Sequence, residues 1–158
     1  MMYRDTIATP FCLLQLDYSE DAIHEVSYVQ QRDVTPEQYL PLRKLIHQQV
    51  EAYLKHRLRE FDLPLALSGT EFQQRVWHAL QAIPMAEVLS YGEMAQQLGS
   101  AARAVGQACR RNPCPLIVPC HRVIAAGRTL GGFHGQTEGE FLRIKQRLLA
   151  HEGVEIKP

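Results

Sequence analysis

The chemistry of this chain is concentrated between Asn112 and Val123, in the run Asn-Pro-Cys-Pro-Leu-Ile-Val-Pro-Cys-His-Arg-Val. A thiol, an imidazole and a guanidinium stand side by side at Cys120, His121 and Arg122. Free cysteine has a pKa of about 8.5, so little of it is thiolate at neutral pH, and basic or cationic neighbours raise that fraction. The triplet therefore suits an activated nucleophile. Residue types alone leave a second reading open, because Cys is among the most buried residue types and a structural Cys beside two surface residues fits the same letters. Pro113, Pro115 and Pro119 frame the triplet. Each removes an amide donor, fixes φ, and pushes its predecessor towards extended geometry. The expectation is a stiff, extended segment whose apolar run, Leu116-Ile117-Val118, must be buried and whose end presents the reactive groups.

The four cysteines, Cys12, Cys109, Cys114 and Cys120, form no regular framework, so reduced thiols and a cytoplasmic location are expected. Zinc held by Cys109, Cys114, Cys120 and His121 is disfavoured because the spacings match no standard zinc pattern. The start of the chain, Met1-Met2-Tyr3-Arg4-Asp5, lacks the apolar core of a signal peptide, and no apolar run approaches the length of a membrane span. Net charge is zero, but its distribution is uneven. Met94 to Thr137 contains five arginines (Arg103, Arg110, Arg111, Arg122, Arg128) and no acidic residue, while the rest of the chain keeps 12 of the 17 basic and all 17 acidic side chains. One basic lobe on a neutral protein can bind phosphates locally.

Several elements must position these groups. Tyr3 to Ala8, Phe11 to Leu16 and Ile23 to Val29 read as strands of a small antiparallel sheet. Thr35-Pro36-Glu37-Gln38 reads as a helix start, with Leu42, Leu45, Ile46, Val50, Tyr53, Leu54, Leu58 and Phe61 at helical spacing; Pro41 either kinks that helix or marks where it begins. His47 and His56 fall among polar positions and are expected to be solvated. Residues 63–69 read as a linker. Thr70-Glu71-Phe72-Gln73 is a capping box before a stripe of Phe72, Val76, Trp77, Leu80 and Ile83, which makes Trp77 a core residue. Ser90-Tyr91-Gly92-Glu93 starts a short helix that Gly99 closes, and Ser100 is expected to cap the next, from Ala101 to about Arg111. The pair has the pattern of a helix-turn-helix. Its second helix is thin, with Ala101, Ala102, Ala104, Gly106 and Ala108. That suits close approach to a nucleic-acid groove, or equally tight packing on a neighbouring helix. Thr137 to Glu140 reads as a last capping box before Phe141, Ile144, Leu148 and Leu149.

Pro119-Cys120-His121-Arg122-Val123, preceded by Asn112-Pro113, resembles the active-site signature of the O6-alkylguanine-DNA alkyltransferases (methylated-DNA–protein-cysteine methyltransferases). The resemblance extends from about Gly69 to Gly153 and is weak over residues 1–68. It implies an α+β chain. Residues 1–67 would form a supporting domain, a small antiparallel sheet plus helix of ribonuclease H-like type. Residues 68–158 would form a mainly helical DNA-binding and alkyltransferase domain with a helix-turn-helix. The implied reaction is irreversible transfer of an alkyl group from O6-alkylguanine, rotated out of double-stranded DNA, to Cys120. Each molecule would react once and without a metal or organic cofactor. Methyl and larger alkyl groups fall within the implied range, and O4-alkylthymine is left open.

By the same resemblance, Glu152 orients His121, which acts through a water on Cys120. Tyr91 aids rotation and donates to the leaving base, and Asn112 hinges the recognition helix to the reactive loop. Arg103 fills the gap in the base stack, and Ala102, Ala104, Gly106, Tyr91 and Arg110 meet the minor groove. Pro115, Val123, Phe133 and His134 line the pocket, with the Cys120 carbonyl and the Val123 backbone reading the guanine edge. The chain departs from the family pattern at Phe133, where tyrosine is usual, and at His134, where a small or polar residue is common. A monomer with no membrane partner is implied. Three other readings use the same residues less well. A non-catalytic lesion binder would lack the cysteine. A helix-turn-helix regulator would carry major-groove readers, which this alanine-rich helix lacks. A Cys-His hydrolase would require an oxyanion hole.

Overall fold

The computed structural model describes residues 1–131 and 139–156. The chain is α+β and divides into two compact units, Met1–Ser68 and Gly69–Pro158.

In the first unit β1 (Tyr3–Ala8), β2 (Leu13–Tyr18) and β3 (Ile23–Val29) form an antiparallel sheet in that order. Tyr3 faces Tyr18 and Leu14 faces Tyr28 in register. Alternation along β2 buries Leu14, Leu16 and Tyr18, as a half-buried strand requires. Helix α1 (Leu40–Leu54) buries Leu42, Ile46, Val50 and Tyr53.

Helix α1 does not begin at Thr35. Thr35 and Gln38 are instead spent on β1: the Arg4 amide donates to Thr35 Oγ1 at 3.0 Å, and Gln38 Nε2 donates to the Arg4 carbonyl at 2.7 Å. The helix starts at Leu40 with Pro41 in its first turn, where no amide is needed. It also ends before Leu58 and Phe61. His56, at φ 57°, breaks it, and Phe61 folds back to place its ring 5.4 Å from that of Tyr53. His47 is not simply solvated, because its Nε2 lies 2.5 Å from Oδ2 of the buried Asp5.

The second unit holds α2 (Glu71–Gln81), β4 (Leu89–Ser90), α3 (Tyr91–Leu98), α4 (Ala102–Arg110), a 3-10 turn (Cys120–Arg122), β5 (Val123–Ile124) and α5 (Glu140–His151). The capping boxes of Thr70 with Gln73 and Ser90 with Glu93 are both formed, and Gly99 closes α3 at φ 64°. Helix α4 packs against α3 and α2, and the Trp77 indole donates to the Ala108 carbonyl at 2.9 Å, pinning α2 to α4 from the core. Two expected caps are replaced. Ala101, not Ser100, is the N-cap of α4, and Gly139 is the N-cap of α5, neither with a side-chain bond; Thr137 lies outside the described residues. The parallel pair β4–β5 was not foreseen, since two residues per strand are too few to show a period. It brings the start of α3 beside the end of the reactive turn.

Candidate active site

The segment leading to Cys120 is not extended throughout. Asn112 Oδ1 accepts the Cys114 amide at 3.0 Å, and its Nδ2 donates to the Val118 carbonyl at 2.8 Å. The Val118 amide donates to the Cys114 carbonyl at 2.9 Å, closing a tight turn in which Leu116 takes φ 76°. One buried amide side chain thus satisfies two backbone groups of a proline-rich segment, and a backbone bond closes the turn between them. The turn buries Leu116, Ile117 and Val118 as expected and delivers Cys120 to the 3-10 turn.

Cys120 is 3% exposed. Burial pushes its thiol up to about 11; a hydrogen bond from the Asn112 side chain and then the charge of Lys145 oppose that rise. His121 is fully buried and reaches Glu152, with Nε2 2.6 Å from Oε2. Burial, the largest influence, lowers the imidazole pKa against the pull of Glu152, so the ring is neutral at pH 7. A neutral ring donating through Nε2 leaves Nδ1 as an acceptor, and Nδ1 makes no hydrogen bond within the described residues. Burial alone would raise the Glu152 carboxyl; His121 and Arg122 together overcome it and hold the group well below the usual carboxylate range.

Arg122 does not serve the thiol as its sequence position implied. Its Nε donates to Glu152 Oε1 at 2.8 Å, Nη2 to Oε2 at 3.2 Å and Nη1 to the Ile83 carbonyl at 2.8 Å. The guanidinium clamps the carboxylate that holds His121.

Tyr91, the first residue of α3, has its phenol pKa raised, first by burial and then by the Cys109 and Cys120 thiols, so its hydroxyl stays a donor. A side chain at Gly106 would meet its ring at 4.0 Å, and one at Gly131 at 3.4 Å, so two glycines lie against the ring. On α4, Ala102, Arg103 and Arg110 are exposed, and Ala104 and Gly106 are half-buried. Pro115 and Val123 are buried. The Val123 amide donates to the Cys120 carbonyl, so of the backbone groups expected to read guanine this amide is already engaged. Phe133 and His134 lie outside the described residues. The structure therefore brings together Cys120, His121, Glu152, Asn112 and Tyr91, and leaves Arg103 and Arg110 on the surface of α4.

Residues 71–154 match the family described as 6-O-methylguanine DNA methyltransferase, DNA binding domain. The chain belongs to this methyltransferase family. It is 39% identical to the constitutive methylated-DNA–protein-cysteine methyltransferase of Bacillus subtilis over 168 residues, covering 99% of each chain. It is 52% identical over 107 residues to the enzyme of that name from Mycolicibacterium paratuberculosis, covering 66% of this chain but only 62% of that relative, less than two thirds of its length. Among solved structures it resembles the O6-methylguanine methyltransferase of Mycobacterium tuberculosis (TM-score 0.80, 38% identity, 96% and 93% of the two chains). It also resembles Mycobacterium tuberculosis OGT in complex with DNA (TM-score 0.79, 41% identity, 93% and 90%).

Sequence reasoning missed one buried group of this methyltransferase-family site. Lys145 has 0% exposure, and its Nζ donates to the Leu130 carbonyl at 2.7 Å and lies 5.7 Å from the centre of the Tyr91 ring. The signal was present: positions 141, 144, 145, 148 and 149 are one helical stripe, and 145 is the place where a lysine stands among apolar residues.

Proposed function

We propose that this chain repairs O6-alkylguanine in double-stranded DNA by moving the alkyl group to its own Cys120. The observation that carries the reading is the Nδ1 of a neutral His121, without a hydrogen bond among the described residues and with the ring fixed from behind by Glu152, in the 3-10 turn that holds the buried Cys120 thiol. His121 takes the thiol proton through a water. Sγ bonds to the alkyl carbon, the carbon–O6 bond breaks, and its electron pair leaves on the guanine. The base then recovers a proton, with the Tyr91 hydroxyl donating to it. The thioether product has no facile return, so each molecule reacts once.

The base must first leave the duplex, at a cost of a few kcal/mol in stacking and pairing. Exposed Arg103 on the thin α4 suits the role of filling the gap from the minor-groove side. The turn at residues 99–101 between α3 and α4 supports the helix-turn-helix reading. Residues 1–67 act as a supporting domain of ribonuclease H-like type, and residues 68–158 bind DNA and react. The protein acts as a cytoplasmic monomer. No helix among the described residues is long and apolar enough to cross a membrane.

The test is intact-protein mass spectrometry after incubation with a duplex carrying one O6-methylguanine, with Cys120→Ala as control. A stoichiometric gain of one methyl group, absent in the control, is expected. Lesion-selective binding without mass gain would make the protein a lesion sensor and overturn the transfer reading.

A further inference from the structure

The arginines of the second unit fall into two groups. Arg75 donates to the Leu98 carbonyl at 2.9 Å, Arg122 holds Glu152, Arg143 pairs with Glu140 at 2.9 Å, and Arg147 is engaged as well. The guanidinium groups of Arg103, Arg110, Arg111 and Arg128 are exposed and have no hydrogen bond or ion pair among the described residues. Arg103 and Arg110 belong to α4, and Arg111 is its C-cap. Arg128 stands elsewhere, in the turn of residues 126–128 that the bridge between Ala125 and Thr129 closes, with the Ala125 amide donating to the Thr129 carbonyl at 2.9 Å. Gly127 and Arg128 both take left-handed φ, 75° and 59°. Glycine is at ease there and arginine is not. A strained, exposed cation without a partner in its surroundings points to a use outside the fold. The turn directly follows β5, which pairs with β4 and so lies beside the start of α3. A Cβ at Gly131 would meet Ala125 at 3.2 Å and Cε2 of Tyr91 at 3.4 Å, while one at Gly106 on α4 would meet Cδ1 of the same ring at 4.0 Å. Those two atoms are opposite corners of the phenol, so α4 and the base of the turn flank Tyr91 from two sides. Glu93, in the first turn of α3, has its carboxyl lowered first by its bonds to Ser90 and also by the charge of Arg128. It accepts the Ser90 amide at 2.9 Å and leaves the guanidinium unpaired.

We propose that Arg128 grips a backbone phosphate of the damaged strand beside the extruded nucleotide, from the side of Tyr91 opposite α4. The proposal deepens the alkyl-transfer reading and rests on it for the extruded base. Helix α4 then holds the duplex, and Arg128 holds the stretch of strand that has left it. A guanidinium fork matches two phosphate oxygens at once, and a contact made only after extrusion shifts the nucleotide towards the extruded state. It carries no information about the base itself, since phosphate contacts position and do not read sequence.

The test measures binding of the full chain to DNA duplexes with and without one O6-methylguanine, by fluorescence anisotropy between about 0.05 and 0.2 M salt. All proteins carry Cys120→Ala, so that no transfer intervenes. Each phosphate contact adds about 0.9 to the slope of log affinity against log salt. Arg128→Gly should lower the slope on the lesion duplex by about 0.9 and weaken binding about three- to tenfold, with a smaller loss on the undamaged duplex. Its melting temperature should not fall, because glycine relieves the turn. Arg128→Lys, which keeps the charge, should keep the slope. Arg143→Ala, which removes a guanidinium already spent on Glu140, should also keep it. An unchanged slope in Arg128→Gly, equal losses on the two duplexes, or the same fall in Arg143→Ala overturns the proposal. A lower melting temperature with the slope intact would make Arg128 a residue of the fold and overturn it equally. Failure of the transfer reading is visible separately, as the absence of a methyl mass gain on the protein that retains Cys120.

Discussion

Glu152 holds two consecutive residues of the reactive turn at once: Oε2 lies 2.6 Å from Nε2 of His121, and Oε1 accepts from Nε of Arg122 at 2.8 Å. The carboxylate sits at the C-cap of α5, so the last turn of that helix is fastened to the turn that carries Cys120. Arg122 neutralises the carboxylate, which leaves the neutral His121 free to act as a base instead of being drawn into a permanent ion pair. The carboxylate, the imidazole and the thiol are thus all buried, with the carboxylate paired to Arg122.

This arrangement makes stability fall in acid. Glu152 ionises in the fold well below its ordinary pKa, so its contribution is present above that ordinary value and is lost as pH falls towards the folded one. His121 also has a lowered pKa, so the unfolded chain takes up a proton before the folded one does, and stability again drops as pH falls below about 6.5. Urea unfolding should therefore show stability declining below about pH 6.5 through His121 and further below about pH 4.5 through Glu152. Glu152→Gln should lose about 3 kcal/mol at pH 7, because Arg122 is left as an uncompensated buried charge, and its decline below about pH 4.5 should be shallower. A variant with wild-type stability at pH 7, or with the same acid slope, would show that the carboxylate is not the anchor of this site.

A second expectation comes from the tight turn at Leu116. A non-glycine residue with φ 76° carries a steric penalty of roughly 1–2 kcal/mol. The side chain is buried, so truncating it costs transfer and cavity energy whichever small residue replaces it. Glycine relieves the backbone and alanine does not. Leu116→Gly should therefore be more stable than Leu116→Ala by about 1 kcal/mol, the reverse of the usual order of the two residues. Both should lie below wild type. Chemical denaturation of the pair decides it: an alanine variant as stable as the glycine variant would mean that the turn holds no such strain.

How much of this was legible in the sequence differs from element to element, for physical reasons. The boxes at Thr70 and Ser90 and the stop at Gly99 are local devices, complete within four residues, and they were readable as written. The box at Thr35 has the same letters, but Thr35 and Gln38 bond to Arg4, a partner some thirty residues away that only the folded sheet supplies. Arg122 misled for a similar reason. Adjacency to Cys120 pointed it at the thiol, whereas its fork is matched by a carboxylate at position 152. Lys145 was hidden by reading α5 for its apolar members alone. Only its place on the buried stripe, beside Ile144, marks it as unusual.

The last prediction concerns the product. Cys120 is 3% exposed, in a close-packed turn, with Asn112 bonded to the thiol and Tyr91 and Cys109 close enough to act on its charge. A methyl group on Sγ adds volume where none is spare, at roughly 1–3 kcal/mol for overpacking. It also blunts the sulfur as an acceptor, so the Asn112 amide loses a partner while still tied to Val118 and Cys114. Asn112 follows Arg111, the C-cap of α4, so the strain enters at the end of that helix. The fully methylated protein should melt several degrees below the unmodified one, since 1 kcal/mol corresponds to about 2–4 °C at this chain length. Amide exchange should quicken first in α4 and in the 112–118 turn, with α1 unaffected. Differential scanning calorimetry and hydrogen exchange on protein methylated by an O6-methylguanine duplex test this directly. An unchanged melting temperature after stoichiometric methylation would show that the pocket takes up the alkyl group without repacking, and that α4 is not coupled to the state of Cys120.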